Sequence, residues 1–558
     1  MNFGKRFRDS VKISVIFLGI GVLLGVWVGY AASPSSTFTI SSGIYPGAPA
    51  YTIWEEDGTY YSKNAYGYPG SSGTDKTIVI QNANNALTSG GLIWLKDIQM
   101  PSTVTLSADV FAIELYGGEL KIYKRDHTLG YPEKYFTDDV KHQAWMPNCY
   151  PVAIYYENKT YVAWHGTDSD PYITYYDHNL GIWANPVRIG DNPLTDGSDA
   201  HGTPSIIINS TGYFYVFYGG HGGHTNIQWA VSTNPKNITS WIDKGDWNAG
   251  ALYTYPRLLN IGGNLYCFVR KSATPDAPIE LYRKSTDGGV TWSGENIIID
   301  LSDAVDTWAL YGWAPQYDSS NNRIHIIWND YNETDAPPYR NNYNHAYLSL
   351  ADHKMYSMDD TDLGTTITFA EATANCKFID SGLKGTSDRG FMHLNPSDYP
   401  YVVYHISRGD DPEAHDVYDL KFIKWTGAAW SAPVKITTVD DMCDGVDFII
   451  HDANNIELFL VTNGSDLEGR GKGYMEYAGG DLEKWTTTDG GAHWSRIEII
   501  LSESSIGMPL ALPRVPVDYQ DDLKLVVSTT LDIWNDYSVF GKCYAYGDDG
   551  FVHREWRR

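Results

Sequence analysis

The chain has 558 residues and carries 68 Asp and Glu against 41 Lys and Arg, a formal net charge of -27. Aromatic residues make up 14% of it, which excludes a disordered chain, and a single apolar run of 20 residues excludes a polytopic membrane protein. The acidic balance argues against nonspecific nucleic-acid binding, because there is no surplus of cations to displace phosphate counterions.

Lys5, Arg6, Arg8 and Lys12 precede an apolar run from Ile13 to Ala32, followed by Ser33-Pro34. A positive start, an apolar core and small residues at its end predict an export signal over 1–32. The core is also long enough to cross a bilayer, so 13–32 could be a signal peptide or a membrane anchor. Either way the remainder is expected to be extracellular or at the cell surface, with a net charge of -30 once the four cations and one acid of 1–32 are set aside. Five sequons, beginning at Asn158, Asn209, Asn237, Asn332 and Asn463, leave glycosylation open. The five Cys permit one or two disulfides in an exported protein, and none sits at zinc-ligand spacing.

Residues 33–49 read as a Ser/Thr-rich linker, and 50–130 as a small β-rich module. Its runs include Tyr51-Thr-Ile-Trp, Gly91-Leu-Ile-Trp-Leu and Phe111-Ala-Ile-Glu-Leu, with one helix-sized segment before Gly90-Gly91. The stretch from Gly73-Thr-Asp through Val79-Ile-Gln to Gly90-Gly91 resembles the start of right-handed parallel β-helix proteins. The resemblance implies a truncated β-helix-like module serving as a stalk or attachment device.

From 140 to 558 one apolar strand recurs seven times, starting at Tyr161, Tyr215, Tyr266, His325, Tyr401, Leu458 and Leu525. The intervals are 54, 51, 59, 76, 57 and 67 residues, and further apolar strands flank each recurrence. Radially packed sheets bury both faces of such units, so the pattern predicts an all-β fold, a seven-bladed β-propeller. Ser285-Thr-Asp-Gly-Gly-Val-Thr-Trp292 fits the Asp-box pattern, and Thr487-Thr-Asp-Gly-Gly-Ala-His-Trp494 nearly does. In such turns Asp accepts backbone N–H groups and Gly takes the positive φ, a structural role without catalysis.

Antiparallel neighbours bring the start of one strand and the end of the next to the same rim of a blade. Those positions hold His201 and His221, then Tyr255 and Arg270, then Tyr311 with Asn329-Asp330, while His165 and His405 come from other blades. Asn329-Asp330 and the acidic cluster Asp410-Asp411-Pro412-Glu413 read as solvated loops. Pairs such as Asp410-Asp411 and Asp440-Asp441 could hold a structural calcium, but no loop spacing names its ligands.

Asp199-Ala-His201-Gly-Thr-Pro204, Gly219-Gly-His221, Thr254-Tyr255-Pro256, Arg270 and Tyr311 together resemble the signature of BNR-repeat (Asp-box) propellers that include the ulvan lyases. This chain departs from it with Gly202, where many relatives carry a polar residue, and with the extra His224. The resemblance implies β-elimination at a uronic acid of an anionic polysaccharide, with no cofactor required. The C5 proton is weakly acidic beside a carboxylate until a cation neutralises that charge, and Arg270 suits the role. His201 is the candidate base and Tyr255 the candidate acid for the departing oxygen, a division that remains open because a Tyr can do both. His221 and Tyr311 would bind and orient substrate.

Two alternatives stand beside the lyase. One is a glycoside hydrolase, rhamnosidase-like or sialidase-like, which would usually show a pair of carboxylic acids. The other is a non-catalytic carbohydrate-binding surface protein.

Overall fold

In the computed structural model the described residues are 50–56, 59–64, 69–86, 91–96, 110–116, 119–124 and 134–553. Within the last stretch 141–143, 167, 195–199, 222–224, 248–249, 251, 273–277, 305–307, 333–338, 381–385, 408–417, 440–444, 464–479 and 530–540 are excepted. The segment 1–32, His224, Cys443, Asp410 to Glu413 and Asp440-Asp441 therefore lie outside the described residues. Among the described residues no helix is long and apolar enough to cross a membrane. The chain divides into two units, Met1–Glu133 with Glu555–Arg558, and Lys134–Arg554.

The described residues of the first unit form one six-stranded mixed sheet and one helix, Lys76–Ala86. Asp75 starts the helix by accepting the Thr77 N–H at 2.9 Å, satisfying one of the donors a helix start leaves open. Val79, Ile80 and Ala83 are buried, which the helical period places on one side. Gly91–Lys96 pairs in parallel with both Ala50–Glu56 and Val110–Tyr116, and the outer pairings are antiparallel. Stacked coils of the kind a β-helix builds are not seen among the described residues of this unit.

The second unit is an all-β β-propeller. The expectation of seven separate blades needs correction: hydrogen bonding groups the strands into five sheets of 5, 4, 4, 10 and 9 strands among the described residues. The two wide sheets are each continuous through a single residue pair, Arg340↔Thr386 in one and Gly480↔Leu510 in the other. A lone backbone pair leaves no trace in hydrophobic periodicity, so strand spacing could not announce it. All seven recurrent apolar strands are strands of this unit, from Lys159–His165 through to Leu525–Thr529. The last sheet is completed by an early segment, because Tyr135–Val140 pairs antiparallel with Gly541–Gly547.

The core lies between neighbouring sheets. Tyr266 and Phe268 of one sheet pack with Ile324, Ile326 and Trp328 of the next. Alternating side chains on both faces of each sheet make this possible, which is why the strands read as near-continuous apolar runs. The Asp-box turns carry the bonds that their motif requires: Asp287 accepts the Thr291 N–H at 2.9 Å and the Ser285 hydroxyl at 2.7 Å. Asp489 accepts the His493 N–H at 2.9 Å.

Four Cys, at 149, 267, 376 and 543, are free and buried, so the disulfides that export would permit are not present among the described residues. The Asn209 sequon is unavailable to a glycan: its side chain is 5% exposed and donates to the Gly288 carbonyl at 2.7 Å.

Candidate active site

The sites of His201 and His221 are built by adjacent strands. Ser205–Ile208 pairs with Phe214–Tyr218 so that Ser205 faces Phe217, putting the residues before one strand and after the other at one rim. His201 occupies a short 3-10 turn, Ala200–Gly202, tied across by the Gly219 N–H donating to the Gly202 carbonyl at 3.0 Å. Gly202 itself is enforced by packing, since a methyl group there would lie 2.8 Å from Asn192 Nδ2. Gly219 has φ +79°, and Thr225 braces the segment by donating its hydroxyl to the Gly219 carbonyl at 2.7 Å. The two imidazoles end face to face, with centroids 3.8 Å apart and planes 5° from parallel.

Tyr253–Ile261 and Asn264–Ser272 supply the next pair. Their register slips between Thr254 and Arg257, a β-bulge, and inside it Tyr255 adopts φ +60°. A non-glycine residue in that region ahead of a proline costs about 1–3 kcal/mol and must be held by its surroundings. Three hydrogen bonds hold it: Ser205 Oγ and Tyr150 N–H donate to the Pro256 carbonyl, at 2.7 and 3.2 Å, and Arg257 Nε donates to the Tyr255 carbonyl at 3.2 Å. The bulge re-aims the ring, which packs with Met146 and Cys149 and stands 5.5 Å from the His201 ring.

Arg270 lies opposite Thr254 in register, and its guanidinium carbon sits 4.8 Å from the Tyr255 ring and 4.6 Å from the Tyr311 ring. Tyr311 comes from Trp308–Gly312, paired with Asn329 of the strand Arg323–Asn332. The five candidates thus form one chain of ring and cation contacts. Tyr255 and Arg270 are its buried end, 3% and 9% exposed, while His201, His221 and Tyr311 are partly exposed. Such a cluster can present a fixed cation beside groups able to take up and release protons.

Asn329-Asp330 are not solvated loops. Both are buried on a strand; Asn329 accepts from Trp313 Nε1 at 2.8 Å, and Asp330 accepts from Asn344 at 2.8 Å and Asn342 at 3.2 Å. Burial, only partly offset by these bonds, raises the Asp330 pKa to about 6. His165 and His405 are likewise buried, at 1% and 0% exposure. Sequence reasoning missed Arg257 and Glu280, a buried ion pair at 2.5 Å beneath Tyr255 and Arg270. A single acid inside Ile279-Glu-Leu-Tyr was the available signal, since an acid in an apolar strand needs a partner.

No group of His, Cys, Asp and Glu suited to a metal ion occurs among the described residues. A cavity of about 580 Å³ opens beside the Asp-box turn at Asp287, with Tyr213, Tyr215 and Trp229 in its wall, and none of the five candidates lines it.

Residues 159–435 match a family model described as a BNR repeat-containing family member. The chain is 25% identical over 436 residues to an ulvan lyase, Ulvan Lyase-PL25, of Pseudoalteromonas sp. (strain PLSV), covering 73% of this chain and 84% of that one. It is 23% identical to an ulvan lyase of Alteromonas sp. (strain LOR), covering 77% and 90%. A solved structure of a PL25 ulvan lyase superposes with a TM-score of 0.65 at 22% identity, covering 76% of this chain and 98% of that one. A second, bound to -[GlcA(1-4)Rha3S]-, gives 0.64. The second unit is therefore an all-β β-propeller, and the chain is similar to BNR-repeat proteins over 159–435 and, over about three quarters of its length, to ulvan lyases.

Proposed function

We propose that this protein is a polysaccharide lyase that cleaves ulvan, an anionic uronate-containing glycan, by β-elimination. The observation that carries the reading is the contact chain His221–His201–Tyr255–Arg270–Tyr311 at one rim, in a fold shared with ulvan lyases over most of their length. Arg270 pairs with the uronate carboxylate, which lets negative charge develop there as the C5 proton leaves. His201 takes that proton. The C5–H electrons form the C4–C5 double bond, the C4–O bond breaks, and Tyr255 protonates the departing oxygen. His221 and Tyr311 orient the sugar. None of these steps calls for a cofactor, and a calcium ion, if bound, would be structural.

The export signal read in 1–32 would bring the enzyme to an extracellular polymer. Its acidity opposes the approach of a polyanion, but salt shortens the range of that repulsion to about 3 Å at molar ionic strength.

Incubating the protein with ulvan and following ultraviolet absorbance of the new double bond tests the reading. A rise that disappears in His201→Ala and Tyr255→Phe supports it. New reducing ends without unsaturation would make the protein a hydrolase, and binding without either product a lectin.

A further inference from the structure

The candidate cluster rests on a charged layer of its own. Glu280 is directly opposite Arg270 across the sheet, and both side chains stand on the same face. Glu280 is fully buried and pairs with Arg257, itself 1% exposed. Arg257 also braces the bulge of its own strand by donating Nε to the carbonyl of Tyr255 at the left-handed position. The pair, which links the strands Tyr253–Ile261 and Pro278–Ser285, also touches a further segment. A methyl group on Gly312, the residue after Tyr311, would lie 2.1 Å from Arg257 Nη1 and 3.2 Å from Glu280 Oε2, so only glycine leaves room. Gly312 is fixed from its other side by Asn148 Nδ2, which donates to its carbonyl at 2.9 Å.

One ion pair therefore meets the backbone of Tyr255, stands across the strand from Arg270 and crowds the backbone beside Tyr311. Among the described residues the second oxygen of Glu280 has no hydrogen-bond donor. For a pair that served the fold alone, an open acceptor in the interior would be a defect. Across the strand from Arg270 it is useful, because a carboxylate on that face adds to the field that holds a nearly buried guanidinium in place. Glu280 balances the guanidinium of Arg257 and leaves that of Arg270, its cross-strand neighbour, as a net positive charge in the cluster, ready for an anionic substrate group.

We propose that Arg257 and Glu280 are positioning residues that set Tyr255, Arg270 and Tyr311 in their reactive arrangement, an inference that rests on the lyase reading. They act through the three side chains above them and do not meet substrate. Their loss acts on the transition state, which needs the cation and phenol in register, more than on ground-state binding.

The test uses the full chain with Glu280→Gln, which keeps the shape and removes the charge, and Gly312→Ala, which keeps both charges and displaces Arg257. Each variant is expected to retain its fold by circular dichroism, to lose about a hundred-fold in kcat on ulvan, and to keep KM within about two-fold. A folded variant of either kind with wild-type kcat overturns the proposal, as does a loss carried by KM. Failure of both to fold overturns it too, making the pair a condition of folding. If the wild type forms no unsaturated product, the lyase reading fails by itself. A crystal structure of the Glu280→Gln protein then decides the positioning: Tyr255 leaving its left-handed conformation supports it, and Tyr255 unchanged overturns it.

Discussion

The rings of His201 and His221 are stacked at 3.8 Å, nearly parallel, although 20 residues separate them in the chain. Contact that close makes them a unit: removing one leaves the other without its neighbour and opens space for water. Replacing either with Ala is expected to lower kcat by about 10²–10⁴, the span of a lost general acid or base. Both are partly exposed, so the melting temperature should barely move. Steady-state kinetics beside thermal melts would check this, and a large drop in melting temperature would recast the histidines as structural.

Arg270 rests against two adjoining aromatic rings at 4.8 and 4.6 Å. Lysine keeps the charge but loses the planar stacking and the two-pronged grip on a carboxylate. Arg270→Lys should therefore cost about 10²–10³ in kcat/KM, as for other groups that stabilise developing charge. Near-normal turnover by the Lys variant would show that charge alone suffices.

Asp330 gives stability a pH dependence of a stated sign. Its pKa is raised from 3.8 to about 6, so the folded protein holds a proton that the unfolded chain has released. The associated stability is fully present below about pH 4 and is lost as pH rises through about 6, a change of about 3 kcal/mol. Asp330→Asn should flatten this part of the profile while leaving one amide of the Asn342–Asn344 pair less well bonded. Denaturant midpoints between about pH 4 and pH 7 would check it; identical slopes for both proteins would contradict it.

The Asp-box at Asp287 should be separable from activity. Ser285 pairs with Leu265 at one end of the strand and Glu280 with Arg270 at the other, about 17 Å away at strand spacing. Asp287→Ala should lower the melting temperature and leave kcat unchanged. Bonds from Thr291 and Ser285 lower the Asp287 pKa to about 2, so its support is present above the ordinary carboxylate range and lost as pH falls through about 2. Comparing acid unfolding of the two proteins would measure it.

The central strands and the five candidate residues were legible because each depends on local alternation and on counting to a strand end. Tyr255 shows where that method stops. Its place at the rim could be read, but the bulge that turns its ring cannot be inferred from Thr-Tyr-Pro, since it is set by Ser205, Tyr150 and Arg257. Asn329-Asp330 looked solvated because polar pairs usually are. Asp330 takes its donors from the following strand, at Asn342 and Asn344, and Asn329 takes its own from Trp313 in the preceding segment, so only the folded sheet brings these partners near. Arg257 and Glu280 escaped for a similar reason, each being the other's justification.

The strand Tyr135–Val140 finishes the sheet that Gly541–Gly547 belongs to, and the neighbouring Ala144 N–H reaches Ser528, 384 residues along the chain. The histidines, Tyr255, Arg270 and Tyr311 are all translated before that latch can close. The ring is thus a clasp fastened last: the blades that bear the chemistry wait, assembled but unlocked, until nearly the whole chain has been delivered. Closure through strands about 400 residues apart makes the ring depend on contacts of very high sequence separation, the kind that form late in folding.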